Sequence, residues 1–189
     1  MKSPVRWEVA SEELLADCKV FKVFRNHCRH PLDGREGDFF LLRAVNWAMC
    51  VAVTSDGKFI LEQQYRHGIR ELSWEFPGGV CEKGENPLDT AVRELREETG
   101  FVGDAPILLG TRSTNPALLN NRCSTVLIKN CRKVCDTKLD ANEEILVREV
   151  SLEELMKMAC DGSIHHALML TAMAEVYLHA PEVFGGKSA

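Results

Sequence analysis

The sequence contains no run of about 18 apolar residues, so no segment reads as a membrane span. It has no basic excess either. Lys and Arg number 23 against 28 Asp and Glu, a net charge of −5. That balance argues against a general nucleic-acid binder, which would carry a basic stripe. Eight cysteines are present (Cys18, Cys28, Cys50, Cys81, Cys123, Cys131, Cys135 and Cys160), yet none forms a C-x-x-C pair. The closest are Cys131 and Cys135, and His165-His166 are adjacent rather than at finger spacing. A zinc module is therefore not expected, and the thiols read as scattered cytosolic cysteines. The opening MKSPVRWEVASEELL carries acids and lacks an apolar h-region, which predicts a cytoplasmic protein rather than an exported one. Repeats, linkers and low-complexity segments are also lacking. What remains is 189 residues, 45 % apolar and 27 % charged, enough for one domain with a proper core.

Residues 19–27 alternate apolar and polar, which predicts a strand, and PLDGREGD (31–38) is a turn before a second strand over 39–45. MCVAVT (49–54) and FILEQQY (59–65) flank Ser55-Asp56-Gly57-Lys58, a hairpin signal. Residues 71–76 run into Pro77-Gly78-Gly79. Further strands are expected over 105–111, 123–130 and 145–150, with a turn-rich loop at 114–122 and a polar loop at 133–144. Ser151 begins a helix with Glu154 at the capping-box position, ending near Gly162. A last helix spans roughly 164–179, before Pro181 and a frayed tail. This order predicts an α/β fold with a mixed sheet between helices.

Residues 79–101, GVCEKGENPLDTAVRELREETGF, carry the chemistry. Asn86 caps a helix, Pro87 takes its first position, and Gly100 ends it as a left-handed cap. Leu88, Ala91, Val92 and Leu95 form the face expected to be buried. Glu94, Glu97 and Glu98 share another face, where like charges at i, i+4 repel. Glu85 sits ahead of the helix and can curl back towards them. One reading is a solvated face with an Arg93–Glu97 ion pair. The other is a site for a hard cation, since Mg²⁺ takes oxygen ligands and shares carboxylates with substrate phosphates. Gly78 and Gly79 allow the backbone to turn sharply beside such an ion.

The spacing Gly79-x5-Glu85-x7-Arg93-Glu94-Leu95-x-Glu97-Glu98-x-Gly100-Phe101 resembles the Nudix box without a departure. Chance gives it in under ~1 in 10⁶ chains of this length at ordinary residue usage. The resemblance implies a Nudix-type α/β/α sandwich with an N-terminal β extension, and a hydrolase of nucleoside diphosphates linked to another group. It implies Mg²⁺ as cofactor, with Mn²⁺ as a possible substitute. By resemblance Glu94, Glu97, Glu98 and the carbonyl of Gly78 would hold the metal, with Glu97 also counted as catalytic, and Arg93 would orient Glu94 or Glu97. Residues 1–48 would form the extension, 49–180 the hydrolase domain and 181–189 a flexible tail.

Three features bear on the substrate. The extension precedes the strand at 49–54; Pro116 lies sixteen residues past Gly100; and QQYRHGIRELSWEFPGG (63–79) is similar to a run common in ADP-ribose pyrophosphatases. After Pro116 the run N-P-A-x-x-x-N-R departs from that subgroup and is similar to one acting on nucleoside diphosphate sugars. A nucleotide-sugar substrate is expected, with a nucleoside-triphosphate or dinucleoside-polyphosphate hydrolase, or a non-catalytic nucleotide-sugar sensor, as alternatives. Arg66 and Arg70 could each grip a phosphate or lie solvated. Arg122, beside the Pro116 loop, could reach substrate. Trp47 and Trp74 could stack on a base or pack in the core. The attacking water needs a base. By resemblance it lies on a late loop, where Glu143 and Glu144 stand, with Glu144 slightly favoured at the entrance to the following strand. His165 and His166 read as helix-start or dimer residues. The apolar strands of the extension predict a two-fold homodimer.

Overall fold

The computed structural model describes residues 3–139 and 141–186. The chain divides into two compact units: Met1–Val45 with Ser113–Arg122, and Asn46–Arg112 with Cys123–Ala189.

The first unit is an antiparallel sheet of three strands, β1 (Glu8–Asp17), β2 (Phe21–Arg29) and β3 (Glu36–Ala44), in the order β1-β2-β3. The sequence predicts only the second and third of these. Strand β1, EVASEELLAD, is rich in helix formers, and its extended form comes from pairing with β2, from Glu8↔Arg29 to Asp17↔Lys22. The segment carrying Pro116 belongs to this unit and is tied to β3: Leu42 N–H donates to Leu118 O at 2.8 Å and Asn121 Nδ2 to Val45 O at 3.0 Å.

The second unit holds a mixed sheet of eight strands: β4 (Trp47–Thr54), β5 (Phe59–Arg66), β6 (Glu71–Glu75), β7 (Gly78–Val80), β8 (Phe101–Val102), β9 (Ile107–Ser113), β10 (Arg122–Lys133) and β11 (Leu146–Val150). The main path runs β11-β5-β4-β10-β8; β4 and β10 are parallel, and their other pairings on this path are antiparallel. The hairpin forms as the Asp-Gly signal predicts: Gly57 has φ +81°, and Lys58 N–H donates to Thr54 Oγ1 at 2.9 Å.

Strand β4 is apolar throughout because both of its faces are covered. Met49, Val51 and Val53 point to one side, with Phe59, Leu61 and Leu127, beneath α2 (Leu152–Cys160) and α3 (Ala167–His179). Ala48, Cys50 and Ala52 point to the other, with Ile60, Val126 and Ile128, beneath α1 (Pro87–Glu94). Helices on both faces of a mixed sheet make an α/β/α sandwich. Ser151 caps α2 by accepting from Glu154 N–H at 3.2 Å, while the Glu154 carboxylate turns to Arg148 at 2.6 Å. Trp47 and Trp74 pack against the α2–α3 core. The segment Pro181–Phe184 is a 3₁₀ turn, not frayed chain, because Phe184 packs on Phe59 with ring centroids 5.6 Å apart. Residues 187–189 of the expected tail lie outside the described residues.

All eight cysteines are free. Cys81, in the loop ahead of the glutamate helix, is buried. Burial pushes the Cys123 and Cys131 thiols up to about 11, so they stay protonated and inert at neutral pH. No described helix is long and apolar enough to cross a membrane.

Candidate active site

The helix that bears the glutamates starts as its sequence dictates. Asn86 Oδ1 accepts from Leu88 N–H at 2.9 Å and Asp89 N–H at 3.1 Å, with Pro87 at the first position. Ala91 and Leu95 are buried as predicted, but Val92 is exposed and Thr90 takes its place in the interior. The helix does not run on unchanged to Gly100. After Glu94 it widens into a π-helical turn over Leu95–Thr99, closed by Gly100 at φ +76°. Such turns often mark functional sites. Here the wider turn carries Glu97 and Glu98, so their angular relation to Glu94 differs from that of a regular helix.

One arginine organises the cluster. Arg93 donates through Nε and Nη2 to both Glu85 oxygens at 3.0 Å each. Its Nη1 reaches Glu94 Oε1 at 2.8 Å and Glu97 Oε2 at 3.2 Å. A guanidinium presents donors in a fixed fork, which suits three carboxylates around one cation. Its hydrogen bonds hold the Glu85 carboxyl down to about 2. Arg93 therefore orients Glu94 and Glu97, as the sequence suggests, and Glu85 does curl back.

The strand opposite is shaped to the cluster. Gly78 N–H donates to Glu98 Oε2 at 2.9 Å. A Cβ at Gly79 would overlap the Glu94 carboxylate, and one at Gly78 would overlap Ala48 O. At Gly78 the obstacle is the β4 backbone, so only glycine fits there; at Gly79 a side chain would push the Glu94 carboxylate aside.

Glu98 is 6 % exposed, and burial with the nearby Glu94 charge pushes its carboxyl up to about 8. Glu62, on β5, is fully buried and lies within hydrogen-bonding reach of Glu98; burial pushes it well above the carboxylate range too. Sequence reading missed Glu62. The signal was present: the run Phe59-Ile60-Leu61 is buried on both faces, and Glu62 continues it with a charge.

The donor set fits a divalent cation. It is oxygen-only, partly desolvated, and leaves Glu62 Oε2 buried with no hydrogen-bond partner. Among the described residues no three side chains yet converge on one centre. Arg93 offsets part of the charge, and burial leads Glu62 and Glu98 to hold their protons more readily.

A pH dependence follows. Both carboxyls titrate above the ordinary value of 4.5 in the folded chain. A raised acid pKa gives stability that is fully present below the unfolded value and is lost as pH rises through the folded one. The metal-free melting temperature should therefore fall between about pH 5 and pH 9. Glu98→Gln should flatten that slope, and Mg²⁺ should restore more of the loss at the alkaline end. Thermal melts across pH, with and without Mg²⁺, measure both effects; a flat wild-type profile would contradict them.

Other predicted residues divide between the units. Arg66 lies in the second, where Nε and Nη2 donate to Glu75 at 2.9 and 2.6 Å. Burial alone would raise Glu75, but Arg66 outweighs it and holds the carboxyl below its ordinary value. One edge of the Arg66 guanidinium is thus committed to a carboxylate. Arg70 is exposed in the turn after β5, at φ +60°. Pro116 and Arg122 belong to the first unit. His166 starts α3, with Nε2 4.0 Å from Glu75 Oε2, and burial lowers its pKa.

The late loop is stitched to the glutamate helix. Val134 N–H donates to Gly100 O at 2.9 Å and Lys138 N–H to Glu97 O at 2.7 Å. Glu143, on this loop, raises the pKa of both Glu94 and Glu98 through its charge.

The model of the NUDIX domain family matches residues 43–170. The ADP-ribose pyrophosphatase of Bacillus subtilis (strain 168) is 29 % identical over 183 residues, covering 96 % of this chain and 97 % of that protein. The methanol dehydrogenase activator of Bacillus methanolicus is 30 % identical over 138 residues, covering 72 % and 74 %. A solved structure of an ADP compounds hydrolase superposes with a TM-score of 0.83 at 22 % identity, covering 94 % of this chain and 96 % of that one. At that identity the likeness speaks for the fold alone.

Proposed function

The chain belongs to the NUDIX domain family, and we propose that it is a metal-dependent pyrophosphohydrolase of nucleoside diphosphate sugars, ADP-ribose foremost. One observation carries the reading. Glu85, Glu94 and Glu97 gather around Arg93, beside Glu98, which the N–H of Gly78 holds. The substrate class is supported by the relative that matches nearly full length, whose name is ADP-ribose pyrophosphatase.

Glu94, Glu97, Glu98 and the carbonyl of Gly78 would hold Mg²⁺, for which Mn²⁺ can substitute. When bound, the ion neutralises the diphosphate and acidifies a water. The chain's own residues do the rest. Arg93 holds Glu94 and Glu97 in place. Glu143 takes the proton from the attacking water. Arg66 and Arg70 face the diphosphate from the end of β5, Arg66 through the edge that Glu75 leaves open. Pro116 and Arg122, the other candidates for substrate contact, lie in the first unit. Products are a nucleoside monophosphate and a sugar phosphate.

We place the enzyme in the cytoplasm, which suits eight free thiols. The three-stranded sheet leaves Val9, Leu14, Phe39 and Phe40 exposed. Its apolar surface suits a two-fold homodimer through residues 1–48, with the hydrolase domain following.

The test is phosphate release, with a phosphatase added, across nucleotide sugars, nucleoside triphosphates and dinucleoside polyphosphates in Mg²⁺. ADP-ribose or another nucleotide sugar should exceed every triphosphate by at least ~10-fold in kcat/KM. A triphosphate in first place would overturn the substrate class, and no turnover anywhere would point to a sensor. Light scattering on the same sample should give a dimer of the 21.2 kDa chain.

A further inference from the structure

We infer that Glu62, outside the glutamate-rich helix and its glycine loop, is a further ligand of the divalent cation and forms the inner wall of its site with Glu98. The inference rests on the metal-dependent reading above and extends it to a residue of the central sheet.

Glu62 has no structural partner that explains its place. It is fully buried, and the residues before it, Phe59, Ile60 and Leu61, are core on both faces of β5. A buried carboxylate without compensation is costly, so such groups are paired or coordinate metals. Compensation here is incomplete. Gln64 Nε2 donates to Glu62 Oε1 at 2.7 Å, which fixes the carboxylate. Its other oxygen, Oε2, is buried and has no hydrogen-bond partner. The neighbour within reach is Glu98, itself an acceptor when ionised. Arg66, the nearest cation along the strand, is turned to Glu75. Arg93 spends its donors on Glu85, Glu94, Glu97 and Val80 O. Two facing carboxylates, one with an unpartnered oxygen, call for a shared cation.

The neighbouring geometry agrees. Gly78 N–H holds Glu98 from the opposite strand at 2.9 Å, so neither carboxylate of the pair is free to swing away. An ion between them would meet Glu62 from the sheet and Glu98 from the π-helical turn. Glu94 and Glu97 belong to the same helical segment as Glu98, leaving the remaining positions for water and diphosphate oxygens.

The test uses the full-length chain without substrate. Mn²⁺ binding is followed by electron paramagnetic resonance for wild type, Glu62→Gln, Glu97→Gln and Glu98→Gln. Glu62→Gln keeps the shape and the contact with Gln64 but removes one ligand charge. It should weaken Mn²⁺ by about tenfold or more. Crystals of the wild-type protein soaked in Mn²⁺ should show anomalous density at coordinating distance from Glu62 Oε2, a result that does not depend on any variant folding. Unchanged Mn²⁺ affinity in Glu62→Gln, or density away from Oε2, overturns the assignment. Should Glu97→Gln and Glu98→Gln leave affinity unchanged as well, the metal reading of the whole site falls. Should those two weaken binding and Glu62→Gln not, Glu62 alone is wrong.

Discussion

Glu97→Gln is expected to lower kcat/KM by at least ~10², or ~2.7 kcal/mol of transition-state stabilisation, with the fold intact. The magnitude follows from what the side chain gives up. Glu97 is the most open of the three helix glutamates, its side chain 38 % exposed, and its link within the cluster is the 3.2 Å bond to Arg93 Nη1. Little packing is lost on substitution, and Gln differs little from Glu in helix propensity. On the proposed reading, what disappears is one ligand charge for the cation that neutralises the diphosphate, and positioning with charge neutralisation supplies most of the rate. Steady-state turnover of ADP-ribose at saturating Mg²⁺, beside a thermal melt, measures both halves of the claim. Wild-type turnover would remove Glu97 from the mechanism. A melt lowered in step with activity would instead make it a structural residue.

The parts of the fold that were legible in sequence are those set by local chemistry. Asp56-Gly57 makes its hairpin because glycine accepts a positive φ, and Ser151 caps α2 because its hydroxyl meets a free N–H. Asn86-Pro87 starts the glutamate helix on the same grounds. The spacing of Glu94, Glu97 and Glu98 marked the cluster, and the Gly78-Gly79 pair marked the strand beside it. What was not legible depends on distant partners. Strand β1 is extended because β2 pairs with it, against the preference of EVASEELLAD. The π-helical turn at Leu95–Thr99 leaves no mark in the spacing. Val92 is exposed because the interior side of α1 runs through Thr90, Ala91 and Leu95. The β5–β6 register puts Arg66 and Glu75 on one face of the sheet, with Arg66 opposite Glu71 and Glu75 opposite Glu62, so their long side chains meet along the strands. The place of Glu62 beside Glu98 also depends on distant elements, and only the break in an apolar run hinted at it.

The second large effect separates the base from the ligands. Glu143→Gln should lower kcat by at least ~10² while KM and the Mg²⁺ requirement stay within about threefold. Glu144→Gln should stay within about threefold in every parameter. The asymmetry comes from the loop. Lys138 N–H on Glu97 O and Val134 N–H on Gly100 O bind its first half to the glutamate helix, and β11 fixes its end from Leu146. Between these anchors Glu143 is close enough for its charge to raise both Glu94 and Glu98. A base must meet the proton of the attacking water, and a carboxylate carried on a loop can move to reach it. It can also tighten on the water once substrate binds. A residue acting this way affects the chemical step and leaves binding alone, whereas a ligand mutant such as Glu97→Gln should weaken metal binding too. Single-turnover hydrolysis of ADP-ribose by the two single mutants and the double mutant decides between them. Loss confined to Glu144→Gln would reverse the assignment. A double mutant within about threefold of wild type would place the base elsewhere, on Glu85 or a glutamate of the helix itself.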